Sequence, residues 1–110
     1  MFGTYTGDTM GLLHDENYRI YRWTRRDCKV LFSVTRKGKA ANCHVASDKA
    51  GLRMLKQAIN EFTRFIFQTY PWCDMILAQA KKDSVIRILL KLGFEIVYTE
   101  PDITVLARRY

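Results

Sequence analysis

A chain of 110 residues, 48% of them apolar, is long enough to bury one core without disulfide or metal staples and too short for two ordinary domains. Its net charge of +7 favours an anionic partner. No stretch approaches the roughly 20 apolar residues of a membrane span, and no basic-then-apolar leader opens the sequence, which predicts a soluble, cytoplasmic protein without a cleaved signal.

Three cysteines, Cys28, Cys43 and Cys73, are odd in number and widely spaced, with no C-x-x-C pair and no histidine cluster beside them. They read as reduced thiols, small core hydrophobes rather than metal ligands, and no metal site is expected. Arg19, Arg22, Arg25, Arg26, Lys29, Arg36, Lys37 and Lys39 crowd one short region in which Asp27 is the sole acid. A field of that sign suits nucleic acid, a phosphorylated cofactor or an acidic protein surface, or simply keeps a strand face solvated.

Residues 1–16, rich in Gly, Thr and acids, predict a loosely ordered segment, with one folded domain over 17–110. Tyr18 to Trp23 alternates large and basic side chains, as a strand with one wet face does. Cys28, Val30, Phe32 and Val34 alternate with Lys29, Leu31, Ser33 and Thr35, the clearest period-two segment, and Arg36-Lys37-Gly38-Lys39 follows as a turn. Ala41, Cys43 and Val45 then alternate with Asn42, His44 and Ala46, which completes an antiparallel three-stranded meander over 18–46.

Ser47 or Asp48 can cap a long helix in which Leu52, Leu55, Ile59, Phe62 and Ile66 recur at spacings of three and four. Tyr70-Pro71 ends it, because proline cannot continue the ladder and the residue before it is pushed out of helical geometry. Met75-Ile76-Leu77-Ala78 suits a central strand buried on both faces. Asp83 can cap a second helix with Ile86, Leu89, Leu90 and Leu92 inward and Gly93 as its left-handed stop. Phe94 to Tyr98 and Ile103 to Ala107, joined at Glu100-Pro101-Asp102, close the domain as two strands. The fold class expected is α/β: a mixed, mostly antiparallel sheet with a long helix and a shorter one packed on it.

In that order, and with the run Asp83-Ser84-Val85-Ile86-Arg87-Ile88-Leu89-Leu90-Lys91-Leu92-Gly93-Phe94, the chain resembles the GNAT N-acetyltransferase superfamily over roughly residues 28–108. The family's usual first strand and first two helices are expected to be missing or much reduced. The resemblance implies acetyl-CoA, its pyrophosphate resting on backbone amides where a strand turns into the long helix. The family pattern there is Gln or Arg, two residues, Gly, one residue, Gly or Ala. Here it falls on Asp48-Lys49-Ala50-Gly51-Leu52-Arg53, where only Gly51 matches. Lys49, Gly51 and Arg53 are the candidate cofactor contacts, with side-chain charge replacing some amide contacts.

Aligned on Gly93-Phe94, the family's frequent Asn falls on Lys82, and its frequent thiolate-protonating Tyr falls on Leu89, which has no proton to give. Tyr98 and Ser84 are candidate substitutes for that acid. A base for the incoming amine is sought in His44, with Glu95 second; His14 lies in the N-terminal segment and carries no such argument.

These departures favour a catalytically degenerate GNAT-fold protein that works by binding a macromolecule, an acidic protein surface ahead of nucleic acid. It would need no cofactor and would use Trp23, Arg25, Arg26, Arg36 and Lys37. A phage accessory, virion or host-takeover factor is compatible with it, in the host cytoplasm or the virion. The alternative is an active acetyl-CoA-dependent N-acetyltransferase, and an open sheet edge leaves room for a homodimer.

Overall fold

The computed structural model describes residues 2–4, 18–25, 28–47 and 49–110. Within these, β1 (Phe2–Thr4), β2 (Arg19–Arg25), β3 (Cys28–Lys37) and β4 (Ala40–Ser47) precede a short α1 (Lys49–Leu52) and a long α2 (Leu55–Thr69). Then come β5 (Met75–Ala80), α3 (Asp83–Lys91), β6 (Glu95–Glu100) and β7 (Ile103–Arg109). The seven strands form one sheet in the order β1-β2-β3-β4-β5-β7-β6. Every neighbouring pair is antiparallel except β4 with β5, which the α2 crossover makes parallel.

The expected meander is β2, β3 and β4, with Phe32 set between Tyr21 and Val45 in register. Alternation decides which side chains meet α2: Tyr21, Trp23, Val30, Phe32, Val34 and Cys43 join Leu55, Ile59, Phe62 and Ile66 in one buried cluster. Phe32 and Phe62 stack with ring centroids 4.0 Å apart and planes 6° from parallel. The opposite parity of β3 is covered too, since Leu31 and Ser33 are fully buried.

Three expectations are corrected. The first concerns the N-terminus, where Phe2–Thr4 pairs with Tyr21–Trp23 and Phe2 stacks on Phe65 at 4.8 Å, so the sheet has a first strand before residue 17. Residues 5–17 lie outside the described residues. The second is the long helix, which is broken at Arg53-Met54; its apolar stripe starts at Leu55, while Leu52 is 53% exposed. The third is the pair of later elements: β5 buries Ile76 and Ala80 but leaves Leu77 and Ala78 half covered, and Leu90 of α3 lies 44% exposed.

The remaining boundaries follow their chemistry. Tyr70 caps α2 in extended geometry with its N–H on the Ile66 carbonyl, one residue before Pro71. Its hydroxyl is hydrogen-bonded to that of Tyr21, and burial, with that bond, pushes its pKa up to about 12. Asp83 lies in the first turn of α3, but Lys82 is the cap residue and no side chain closes that end. Gly93 at φ +91° lets the chain leave α3 and enter β6, as expected of a left-handed stop. Among the described residues no helix is long and apolar enough to cross a membrane.

Candidate functional site

Parallel pairing between β4 and β5 runs from Ala40 with Met75 to Cys43 with Ala78 and stops there. Both strands continue: His44–Ser47 stays paired with β3, and Gln79–Ala80 stays paired with β7. The sheet therefore splits between its two central parallel strands at their carboxyl ends. That is where open α/β sheets offer crevices to ligands.

A cleft of about 640 Å³ occupies the split, within the range of small-molecule sites. β4 lines one side with His44 to Ser47, and Gln79, Ala80, Lys81 and Lys82 line the other. Leu52 and Leu55 close it from the helices, which explains the exposure of Leu52: it faces the cleft and not the core. Lys81 and Lys82 are both exposed and make the mouth cationic, and exposed Arg53 is the chain neighbour of the lining residue Leu52.

His44 stands on the cleft wall, half buried, with its ring 6.2 Å from that of Tyr18. Its Nε2 is buried and has no hydrogen-bond partner among the described residues. Burial, and then the positive charge of Lys37, lowers its pKa below the ordinary 6.5, so the imidazole is neutral at pH 7 and free to accept a proton. On the same parity of β4, Asn42 is buried and accepts from the Gln79 amide at 3.4 Å, a polar contact that crosses the base of the split.

The other expected site residues are placed as follows. Gly51 is buried within α1, and its carbonyl accepts from the Met54 N–H at 3.0 Å. Asp48 and the side chain of Lys49 lie outside the described residues, as does Arg26. Tyr98 is 56% exposed on β6, the edge strand, with β7 between it and β5; it does not line the cleft and is not brought together with His44. Glu95 pairs with Ala107, at the end of β6 away from the cleft residue Ile103. Ser84 is exposed in the first turn of α3 between the lining residues Lys82 and Val85.

The basic surface is not a single patch. Trp23, expected on it, is 1% exposed, and its indole N–H donates to Glu61 at 3.3 Å, so it belongs to the core. Arg25 pairs with Cys28 at one end of the meander while Arg36 lies at the other, roughly 26 Å along β3 at the rise of a strand. Arg36 sits over the Trp72 ring at 4.4 Å, and Lys37 projects from the opposite parity. Sequence proximity had grouped side chains that alternation and strand length separate.

None of the cysteines is joined to another by a disulfide, and burial raises the pKa of Cys43 and of Cys73, which keeps both as unreactive thiols. Among the described residues no cluster of His, Cys, Asp and Glu could hold a metal ion.

No family model and no curated protein matches the chain. Solved structures do match it. The N-acetyltransferase PseH of Campylobacter jejuni, solved with acetyl coenzyme A, superposes with a TM-score of 0.73 at 10% identity, over 86% of this chain and 70% of that one. A Bacillus subtilis acetyltransferase in complex with CoA gives 0.70 at 13% identity, over 86% and 78%. The Vibrio cholerae spermidine N-acetyltransferase SpeG gives 0.70 at 13% identity, over 87% and 68%. The chain has the GNAT fold. At these identities the likeness is one of architecture. Of the positions singled out by alignment to the GNAT pattern, Lys82 lies on the cleft, whereas Leu89 is buried beneath α2 with Phe94 and Ile59.

Proposed function

We propose that this GNAT-fold chain binds a coenzyme A thioester in the cleft between β4 and β5 and transfers its acyl group to an amine, with His44 as the base. The observation that carries this reading is the opening of the sheet beyond Cys43 and Ala78 into a cleft with a cationic mouth and the His44 imidazole on its wall. The bound thioester supplies an activated acyl group. Everything else is done by side chains and backbone of this chain.

On its cleft side, β4 from His44 to Ser47 has lost β5 as a neighbour. Backbone groups on that edge suit an extended ligand arm that carries amides. Lys81 and Lys82 supply charge for a pyrophosphate, and Arg53, next to the cleft residue Leu52, adds to it. That division of labour fits a loop that departs from the glycine-rich pattern, since lysines on one wall replace amides on the other. His44, neutral at pH 7, takes a proton from the incoming amine.

One observation favours a second reading. Leu89 occupies the position at which GNAT enzymes frequently carry a proton-donating tyrosine, and without a substitute, turnover falls by a factor on the order of 100 to 10,000. In that reading the cleft holds the thioester as a ligand and the chain is a binding protein. Macromolecular recognition through the meander has less support, because Trp23 is in the core and Arg25 and Arg36 stand at opposite ends of it.

Calorimetric titration with acetyl-CoA tests the proposal. Micromolar binding by the wild type, weakened at least about tenfold in the Lys81→Glu/Lys82→Glu double variant, is the expected outcome. Absence of binding at millimolar acetyl-CoA would overturn both the transferase and the ligand-binding forms.

A further inference from the structure

The cleft opens at the carboxyl ends of β4 and β5, and their amino ends carry a different chemistry. There, consecutive rows of residues run across the sheet. In the middle row Lys37 of β3 pairs with Ala40 of β4, Ala40 with Met75 of β5, and Met75 with Arg109 of β7. The row inside it is Arg36, Ala41, Ile76 and Arg108. The row outside it is held by backbone bonds: the Asp74 N–H donates to the Lys39 carbonyl and the Tyr110 N–H to the Asp74 carbonyl, both at 2.9 Å. Register mates lie on one face at about 4.8 Å per strand, so Lys37 and Arg109 share a face about 14 Å apart.

Arg36, Lys37, Lys39 and Arg109 are all exposed. Arg19 of β2 extends the strip, close enough to Tyr70 for its charge to act on that phenol. Among the described residues Asp74 is the acid of these rows, and Glu95, paired with Ala107, stands one row further in. The cations gathered here come from β2, β3 and β7, a set that no window of the sequence groups together. Aromatic rings stand among them. Arg36 lies over the Trp72 ring at 4.4 Å and its Nε donates to the Gly38 carbonyl at 2.8 Å, which holds the guanidinium in place before any ligand arrives. Tyr110 is 86% exposed and meets Phe67 nearly at right angles, so most of its ring is open to solvent.

We infer that this end of the sheet binds single-stranded nucleic acid, its phosphates on Arg36, Lys37 and Arg109 and a base stacked on Tyr110. An acidic peptide has use for the cations alone, whereas an unpaired strand uses both features: phosphates take the cations and a base takes the exposed ring. A duplex keeps its bases stacked within itself and offers no face to Tyr110. The inference goes beyond the transferase reading and does not depend on it, because this surface and the cleft lie at opposite ends of the same two parallel strands.

The test is fluorescence anisotropy of the whole chain with a labelled oligothymidylate of about twelve nucleotides, set against a duplex and an oligoglutamate peptide of similar length. Oligothymidylate is expected to bind in the micromolar range at low salt, more tightly than either competitor. Its affinity is expected to fall with salt at a log–log slope of about −3, the value for roughly four neutralised phosphates. Lys37→Glu/Arg109→Glu is expected to weaken binding at least about tenfold and to flatten the slope by about 1.4, the share of two phosphates. Tyr110→Ala is expected to lower affinity at least about fivefold and leave the slope unchanged, which separates stacking from charge. Arg25→Glu, at the far end of the meander, is the control and is expected to change affinity less than about twofold. Circular dichroism of each variant establishes that it is folded. Oligoglutamate or duplex binding as tightly as oligothymidylate would overturn the inference, the first in favour of an acidic protein partner. A loss in Arg25→Glu as large as in the double variant, or displacement of oligothymidylate by acetyl-CoA, would place the ligand elsewhere and overturn it too. Absence of binding at low salt would do the same.

Discussion

His44 shows how a single position acquires chemistry from its surroundings. On sequence alone it is one histidine in an alternating strand, and alternation says only that it points away from Cys43 and Val45. Half burial and the charge of Lys37 lower its pKa, so it stays neutral where an exposed histidine begins to protonate. If it is the base, kcat/KM falls on the acid side with an inflection below 6.5, and His44→Gln removes that limb along with a factor on the order of 100 to 10,000 in rate. The same shift has a stability consequence. Below pH 6.5 the unfolded chain protonates His44 before the folded chain does, so stability declines as pH falls from 6.5 through the lower folded value. Urea midpoints measured across that interval are expected to decline less in His44→Gln than in the wild type. Lys81 and Lys82 illustrate the opposite case. The sequence marks Lys82 only by its alignment with the family's frequent Asn and Lys81 not at all, and their significance comes from the wall they stand on.

At the scale of elements, the strong periodicities were legible and the short or interrupted ones were not. The alternation over Cys28–Val34 and Ala41–Val45 and the three-and-four spacing from Leu55 to Ile66 each recur often enough to fix a face. A three-residue strand such as β1 has too few positions for any period to emerge; it is held by pairing with Tyr21–Trp23 and by Phe2 against Phe32 and Phe65. The break at Arg53-Met54 is equally silent, since Leu52 keeps helical spacing with Leu55 while turning toward the cleft. Two substitutions test this layer. Phe62→Ala removes the ring stacked on Phe32 and is expected to cost roughly 3–5 kcal/mol in denaturant unfolding. Gly93→Ala meets nothing nearer than the Arg108 Nε at 3.9 Å, so its cost is the left-handed backbone alone, about 1–2 kcal/mol.

The cleft belongs to the molecule as a whole. Its walls come from residues 44–47, 52, 55, 79–82, 85 and 103, and it exists because two parallel strands part after four paired positions, which no local pattern encodes. Element order and the Lys91-Leu92-Gly93-Phe94 ending were enough to suggest the fold; the position of the cavity, the cationic mouth and the dispersal of the basic residues required three dimensions. Because the mouth is cationic, thioester affinity is expected to fall as salt rises from 50 to 500 mM, an electrostatic screening effect that a purely apolar site would not show. The most direct measurement is a map of backbone amide shifts in ¹⁵N-labelled protein as acetyl-CoA is added. Perturbations are expected to concentrate at His44–Ser47 and Gln79–Val85, on the two walls of the split. Perturbations confined to β2 and β3, or none at saturating ligand, would contradict a thioester site in the cleft.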